Sequence, residues 1–214
     1  SIGKELLRKC NSEKEKVIAT YNNTKINDNT AKVLRLDLTK IEDIESFKPK
    51  NISHLIFLQG SLIGKKIGDY ENDEIASMIE INLSSILHLL NNMIKNECFS
   101  DQSLITLVSS ISAIKGSYDL VYSSTKSALI GCARSIALNS ESKIRANVIC
   151  PGLIEDSSMY NSMSSEDHER HLKGTPTKQL TKIKDIAELI FSLNKPMFKN
   201  MNGAIINIDG GRHL

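Results

Sequence analysis

Short apolar runs alternate along this chain with longer segments in which apolar residues recur at helical spacing. The runs are rich in branched side chains, which is typical of strands buried on both faces. They predict strands over 16–21, 33–36, 54–58, 104–108, 144–149 and 204–208. The longer segments predict helices over 2–10, 41–47, 71–96 and 183–193, and a further helix that begins around Tyr122. A final segment, 153–176, is long, polar and without clear periodicity.

This alternation predicts the α/β class, with crossover units that join parallel strands. We expect one domain over residues 1–214, built on a single doubly wound, Rossmann-type parallel sheet with helices on both faces. Such sheets bind ligands beyond the carboxyl ends of their strands. Gly60, Ser110 and the pair Pro151-Gly152 follow three predicted strands, so we expect a functional site at that edge. Segment 153–176 is expected to form a substrate lid.

Charge and composition exclude several classes of partner. A net charge of +2 is too small to favour nucleic acid or an anionic membrane, and no apolar run approaches the roughly 20 residues that a membrane span needs. The four cysteines include no Cys-x-x-Cys pair, which favours free thiols in a reducing, cytoplasmic compartment. The five histidines form no ligand cluster in the sequence, so we expect no metal site.

A tyrosine and a lysine form the strongest candidate for chemistry. Tyr122 and Lys126 are four residues apart in a predicted helix, so they lie on one face. A phenol has a pKa of about 10, but an ammonium at about 4 Å in an effective dielectric near 20 contributes about 4 kcal/mol, or some three pKa units. We therefore expect a Tyr122 pKa near 7, suited to proton transfer. Ser109 and Ser110 end the preceding strand, and either could face the phenol.

Taken together, these features resemble the classical short-chain dehydrogenase/reductase family, and its 3-oxoacyl reductases in particular, over essentially the whole chain. A lone Tyr-x-x-x-Lys is a weak signal, but its order and spacing relative to the other motifs are specific. The residues that carry the resemblance are Asp37 in Asp-Leu-Thr, Asn82 in Ile-Asn-Leu, Ser109-Ser110, Tyr122 with Lys126, Ile144-Arg145-Ala146-Asn147 leading to Pro151-Gly152, and Asp209-Gly210-Gly211.

The chain departs from the family pattern at three places. The family opens with a strand and a glycine-rich turn, of which Ser1-Ile2-Gly3 looks like the end. We expect that strand and most of the turn to lie outside the given sequence, the alternative being a natural truncation without activity. The family's Asn-Asn-Ala-Gly is Phe57-Leu58-Gln59-Gly60 here, and Asp156 replaces a threonine that follows Pro-Gly.

The resemblance implies roles for individual residues. Tyr122 would donate a proton and Ser110, preferred over Ser109 because Gly116 keeps its offset from it, would hold the substrate oxygen. Lys126 would tune the phenol and hold the nicotinamide ribose, and Asn82 would kink its helix and hold a water. The implied substrate contacts are Ser110, Ser112, Tyr122, Leu153 and Tyr160. The implied cofactor contacts are Ser1, Ile2, Gly3, Tyr21, Asn22, Asp37, Leu38, Gln59, Gly60, Tyr122, Lys126, Pro151, Gly152 and Ile154.

The implied function is interconversion of a carbonyl and a secondary alcohol with NAD(P)(H), with 3-oxoacyl-thioester reduction the leading possibility. NADP is preferred over NAD because no acidic residue precedes Asp28 in the region where NAD enzymes bind the ribose. The alternatives are a sugar or polyol dehydrogenase and a non-catalytic nucleotide sensor. Ala128, Cys132 and Ala133 would permit close helix packing, so a homotetramer or homodimer is expected.

Overall fold

Strands and helices alternate along the computed structural model, which describes residues 1–139 and 143–214. The strands are Ile18–Tyr21 (β1), Lys32–Arg35 (β2), Ile52–Phe57 (β3), Phe99–Val108 (β4), Ile144–Pro151 (β5) and Ile205–Ile208 (β6). The helices are Ile2–Ser12 (α1), Ile41–Ser46 (α2), Asn72–Ile79 (α3), Ser85–Lys95 (α4), Ser112–Lys115 (α5), Leu120–Asn139 (α6), Ser158–Asn161 (α7), Ser165–Lys173 (α8) and Ile183–Ser192 (α9).

Every strand pair is parallel, as the alternating pattern predicts. β1 pairs with β2, and β3, β4, β5 and β6 pair in that order. The expectation of a single continuous sheet is wrong in detail. β1 and β3 do not hydrogen-bond to each other, and no strand of the described residues joins them, so the strands form a two-stranded and a four-stranded sheet.

Helices cover both faces of the four-stranded sheet, which confirms the doubly wound α/β class. On one face, β4 and β5 contribute side chains such as Ile105 and Val148 that pack against α2, α4 and α6. On the other face, Leu104 and Ile149 pack against α1 and α9. This alternation along each strand places one core on each side of the sheet.

The predicted helix over 71–96 is not continuous. A π-helical turn, Glu80–Ser84, separates α3 from α4, and the buried Asn82 lies in it. The Asn82 side chain reaches out to bond the backbone of Ser61. A π turn widens the helix locally and often marks a functional site. The family resemblance implied a kink at Asn82, whereas the apolar spacing alone did not predict one.

The lid segment contains two short helices that its apolar pattern did not predict. The Ser157 and Ser164 hydroxyls cap α7 and α8 by accepting hydrogen bonds from backbone N–H groups. Ion pairs support α8, for example Arg170 with Asp167, and none of the α8 residues is buried. Capping and surface charge therefore stabilise these helices, and neither leaves an apolar stripe in the sequence.

Candidate active site

The candidate site lies at the carboxyl ends of β3, β4 and β5, which are neighbours in the sheet. Gln59 and Gly60 follow β3, Ser109 and Ser110 follow β4, and Pro151 ends β5. The first turns of α6 bring Tyr122 and Lys126 to the same edge, where they lie on one face of the helix: the Lys126 Nζ is 5.9 Å from the centroid of the Tyr122 ring.

The Ser110 hydroxyl lies beside the Tyr122 phenol, close enough to lower the pKa of that phenol. The Ser110 Oγ also accepts a hydrogen bond of 3.1 Å from the backbone N–H of Ser112. The neighbouring Ser109 points elsewhere, because its buried Oγ donates to the backbone oxygen of Lys126 at 2.8 Å. Of the two serines, only Ser110 is therefore positioned to share a ligand oxygen with the phenol.

Lys126 is held beneath this pair by backbone groups. Its side chain is buried, and Nζ donates to the carbonyl oxygens of Val108 at 3.1 Å and Gln59 at 3.4 Å. Burial lowers its pKa to about 8, although the nearby Cys150 acts in the opposite direction. The ammonium is thus fixed close to the phenol, and it is less basic than a lysine in water.

The expectation of a Tyr122 pKa near 7 is wrong for the free protein. Burial raises the pKa of the phenol above its ordinary value of 10, the nearby Ser110 hydroxyl lowers it, and the charge of Asp119 raises it again. The simple Coulomb argument placed a full ammonium charge at 4 Å in a polar medium. It omitted the desolvation of a half-buried phenol, which dominates here.

Asn82 ties the loop after β3 to the catalytic helix. Its Oδ1 accepts from the backbone N–H of Ser61 at 2.7 Å, and its Nδ2 donates to the Ser61 oxygen at 2.9 Å and to Thr125 Oγ1 at 3.2 Å. These bonds satisfy both amide donors within the protein. The water relay that the family resemblance implied stays a prediction.

Gly60 approaches Lys126 more closely than any other residue type could. A β-carbon built at Gly60 would lie 2.9 Å from Lys126 Nζ, 3.4 Å from Cε and 3.7 Å from Asn82 Oδ1. The resemblance assigned Gly60 to close approach of a cofactor. In the structure, glycine is required at this position because the Lys126 side chain occupies the space that a β-carbon would fill.

Two buried polar atoms that follow β1 and β3 have no hydrogen-bonding partner, and both belong to predicted cofactor residues. They are Asn22 Oδ1, just after β1, and Gln59 Nε2, just after β3. Buried polar groups are normally paired, so these two fit a ligand with donors and acceptors of its own. The helix α1 begins directly after Ser1 with no side-chain cap, and its free N–H groups around Ile2 and Gly3 suit a phosphate.

The remaining predicted cofactor residues have structural duties as well. The Asp37 Oδ1 accepts two hydrogen bonds from Thr39, at 2.7 and 3.1 Å, which lower the pKa of its carboxyl. Leu38 packs partly against the core, and the Tyr21 carbonyl accepts from the Leu36 N–H. Lys40 is the N-cap residue of α2, and no side chain, including those of Asp37 and Thr39, caps this helix.

The turn after β5 is packed too tightly for a side chain at its glycine. A β-carbon at Gly152 would lie 3.0 Å from the Cα of Asp209, and the Gly152 N–H donates to Ile208. The Pro151 oxygen accepts from the N–H of Ile111, which ties this turn to the Ser110 loop. Ile154 pairs with Thr181 in an isolated bridge.

Of the predicted substrate residues, Tyr160 is the one that the structure does not bring to the site. Its ring stacks on His168 at 3.8 Å and lines a cavity of about 660 Å³ in the lid. None of the four predicted catalytic residues lines that cavity. The backbone N–H of Ser112 donates to the Ser110 Oγ. Leu153 is buried, and its backbone oxygen accepts a hydrogen bond from the Thr181 N–H.

The sequence reasoning missed one charged residue at the site. Asp119 is fully buried, and its carboxylate accepts hydrogen bonds from the backbone N–H groups of Tyr122 at 2.8 Å and Gly64 at 3.0 Å. The signal available in the sequence was an aspartate immediately before a helical pattern, which predicts a helix N-cap. Its contact with Gly64 is not predictable from spacing.

Comparison with known proteins gives consistent results at the level of sequence. A family model described as Enoyl-(Acyl carrier protein) reductase matches residues 1–213. Two relatives from Buchnera aphidicola are named 3-oxoacyl-[acyl-carrier-protein] reductase FabG. The protein of subsp. Acyrthosiphon pisum is 28% identical over 177 residues, which cover 82% of this chain and 72% of the relative. That of subsp. Baizongia pistaciae is 29% identical over 189 residues, covering 85% and 77%.

Solved structures show the same fold. A short chain dehydrogenase family protein from Francisella tularensis superposes with a TM-score of 0.88 at 24% identity, covering 99% of this chain and 93% of that one. A blue fluorescent protein from a metagenomic library, in complex with NADPH, gives a TM-score of 0.86 at 20% identity, with coverage of 99% and 93%. The fold, the family model and the hydroxyl–phenol–ammonium site agree: this chain belongs to the short-chain dehydrogenase/reductase family and is an oxidoreductase that acts on alcohol and carbonyl groups.

Proposed function

We propose that this protein is an NADPH-dependent reductase that converts 3-oxoacyl thioesters into 3-hydroxyacyl thioesters. The observation that carries the proposal is the placement of the Ser110 hydroxyl beside the Tyr122 phenol, next to the buried Lys126. A substrate carbonyl oxygen bound between the two hydroxyls would accept a hydrogen bond from Ser110 and a proton from Tyr122. Both are needed when charge develops on that oxygen.

The proposed proton path begins at Tyr122. When bound, a reduced nicotinamide supplies the hydride that attacks the carbonyl carbon. The Ser110 hydroxyl holds the oxygen as negative charge develops, and the Tyr122 phenol transfers its proton to that oxygen. Lys126 stabilises the resulting tyrosinate, which a proton from solvent then neutralises. A phenol with a raised pKa is fully protonated at neutral pH, so it is ready to act as the acid in the reductive direction.

Different residues of the site would bind different parts of the cofactor. The N-terminus of α1, at Ser1, Ile2 and Gly3, would hold the pyrophosphate. Asn22 and Gln59 would use their unpaired polar atoms on the adenosine half. The proposed contacts on the two halves of the cofactor also include Tyr21, Asp37, Leu38, Gly60, Lys126, Pro151, Gly152 and Ile154.

The end of β1 supports NADP over NAD. Asp28, the nearest acidic residue in sequence, is occupied in its own turn, where it accepts from Thr30 and Ala31 and from the Asn11 side chain. Arg35 lies across from β1 and donates to the Asn22 oxygen at 3.4 Å. Arg35 is thirteen residues from Asn22 along the chain, so sequence spacing alone does not bring it to this site. A guanidinium suits a 2′-phosphate, which a carboxylate would repel.

The substrate class rests on the named relatives, which are 3-oxoacyl-[acyl-carrier-protein] reductases at 28 and 29% identity. The lid, residues 153–176, is rich in polar groups but does not by itself select a thioester. Ser112, whose backbone N–H donates to the Ser110 Oγ, and the buried Leu153 are proposed as substrate contacts together with Ser110 and Tyr122. Tyr160 would contact only a substrate long enough to reach the lid cavity.

We also propose a homotetramer or homodimer in a reducing, cytoplasmic compartment. Leu87 and Ile94 expose nearly half of their surface on α4, which supports an apolar contact between copies. Ala133 does not support close packing of helices between copies, because it is buried in the core of its own chain. The four cysteines are free thiols. Across the described residues, no helix has the length and apolar character to cross a bilayer.

The test is a substrate panel assayed with NADPH and with NADH. We expect a 3-oxoacyl thioester to be reduced faster than an enoyl thioester, and NADPH to give a higher kcat/KM than NADH. Oxidation of sugars or polyols without thioester reduction would favour the alternative dehydrogenase. Cofactor binding without turnover of any carbonyl or alcohol would favour a nucleotide sensor and contradict the proposal.

A further inference from the structure

Asp119 is a buried charge without a cationic partner among residues 1–139 and 143–214. It is fully buried, and its two carboxylate oxygens accept backbone hydrogen bonds from Tyr122 and from Gly64, with the Tyr70 hydroxyl beside them. No ion pair of the described residues involves it. A buried charge without an opposite charge is costly. Helix capping alone does not need this cost, because serine or asparagine caps a helix equally well.

The two hydrogen bonds join the proton donor to a loop. Oδ1 bonds the N–H of Tyr122 at 2.8 Å and fixes the first turn of α6. Oδ2 bonds the N–H of Gly64 at 3.0 Å, in the loop that runs from Gly60 to Tyr70. Asn82 already holds the start of this loop through Ser61. The Asp119 bond is thus a second attachment of the loop, placed directly at the catalytic helix.

The carboxylate also acts on the phenols around it. It contributes to raising the pKa of Tyr122, after the larger effect of burial. The Tyr70 hydroxyl is buried without a hydrogen-bonding partner of good geometry, and burial, followed by Asp119, raises its pKa to about 12. The other titratable groups that face this set are Lys126 on α6, Glu74 on α3 and Cys150 on β5.

We propose that Asp119 is a positioning residue whose carboxylate fixes the first turn of α6, and with it Tyr122, against the Gly60–Tyr70 loop. This inference rests on the proposed function, since it assigns Tyr122 the role of proton donor. It differs from a capping role in requiring the charge as well as the hydrogen bonds.

The test uses two variants and a matched control. Asp119→Asn removes the charge and keeps one acceptor, and Asp119→Ser keeps a helix cap while losing the reach to Gly64. Asp73→Asn makes the same chemical change at an exposed position in the first turn of α3. In both Asp119 variants, the pH limb of kcat/KM assigned to the phenol should move down by roughly half to one unit. In Asp119→Ser, hydrogen exchange of the Gly64 amide should accelerate about tenfold.

Two outcomes would overturn the inference. One is a pH limb that coincides with that of the unaltered protein while activity falls only in proportion to the melting temperature, which would leave Asp119 a structural cap. The other comes from tyrosine ionisation measured by ultraviolet absorbance. The difference between proteins with and without Tyr122→Phe gives the titration of Tyr122. An Asp119→Asn protein whose Tyr122 titration is the same as that of the unaltered protein would contradict the inference. The absorbance titration needs no turnover, so it tests Asp119 even if every substrate in the panel fails and the proposed reaction is wrong.

Discussion

Replacing Gly60 by alanine tests whether the position of the Lys126 ammonium matters. The added β-carbon would lie 2.9 Å from Nζ, which is closer than an ordinary van der Waals contact of about 3.4 Å. The Gly60 backbone is outside the left-handed region, so alanine adds no backbone strain there. The clash is with the flexible end of a side chain, and we expect Lys126 to move while the fold remains intact.

The displacement gives the size of the effect. Nζ must withdraw by about half an ångström, which disrupts its bonds to Val108 at 3.1 Å or Gln59 at 3.4 Å. Misplacing a catalytic group by about 1 Å can cost roughly a hundredfold in rate, so we expect kcat/KM to fall by about tenfold. The free energy of unfolding should fall by only about 1 kcal/mol, because the lysine can find other partners.

The assay compares kcat/KM and thermal unfolding for Gly60→Ala with those for Gly131→Ala. Gly131 lies in the same helix as Lys126, and its β-carbon would meet nothing within 4 Å. The control should keep its activity and gain roughly 0.5–1 kcal/mol from the helix preference of alanine. A folded Gly60→Ala protein with unchanged kcat/KM would refute the idea that Lys126 must occupy its observed position.

Two further predictions separate structure from chemistry. Ser110→Ala should lower kcat by about tenfold to a hundredfold at nearly constant stability, whereas Ser109→Ala should lose about 1–2 kcal/mol of stability with its buried bond to Lys126; the reverse pattern would reassign the two serines. Burial lowers the pKa of His54 to about 3, below its unfolded value of about 6.5, so the unfolded state binds the extra proton between these pH values. Stability is therefore fully present above pH 6.5 and falls as the pH decreases, by about 2 kcal/mol at pH 5, and urea unfolding of His54→Gln should lack this slope.

Much of the fold was predictable because strands buried on both faces and amphipathic helices leave distinct patterns. β5 and α9 lie close to their predicted positions. The pattern failed where other forces dominate. β4 begins at Phe99, several residues before the predicted run, because Phe99 pairs with Ile52 of β3 ahead of a register shift that precedes the pairing of Leu104 with His54. The lid helices depend on serine caps and surface ion pairs, which apolar periodicity does not detect.

The site was predictable where it follows from local spacing. Tyr122 and Lys126 share a face because they are four residues apart, and helix geometry requires it. Contacts between distant segments were not accessible in this way, as with Arg35 near Asn22 and Gly64 on Asp119. The direction of the Tyr122 pKa shift was also missed, because burial cannot be read from a motif and here burial makes the largest contribution to the shift.

The most direct measurement is single-turnover hydride transfer by Tyr122→Phe, with NADPH affinity determined in parallel. Phenylalanine keeps the ring near Lys126 and removes only the hydroxyl beside Ser110. We predict that the rate of hydride transfer falls by about 10²- to 10⁴-fold while the Kd for NADPH stays within a few fold. Turnover at the original rate, or an equal loss of cofactor affinity and rate, would contradict the assignment of Tyr122 as proton donor.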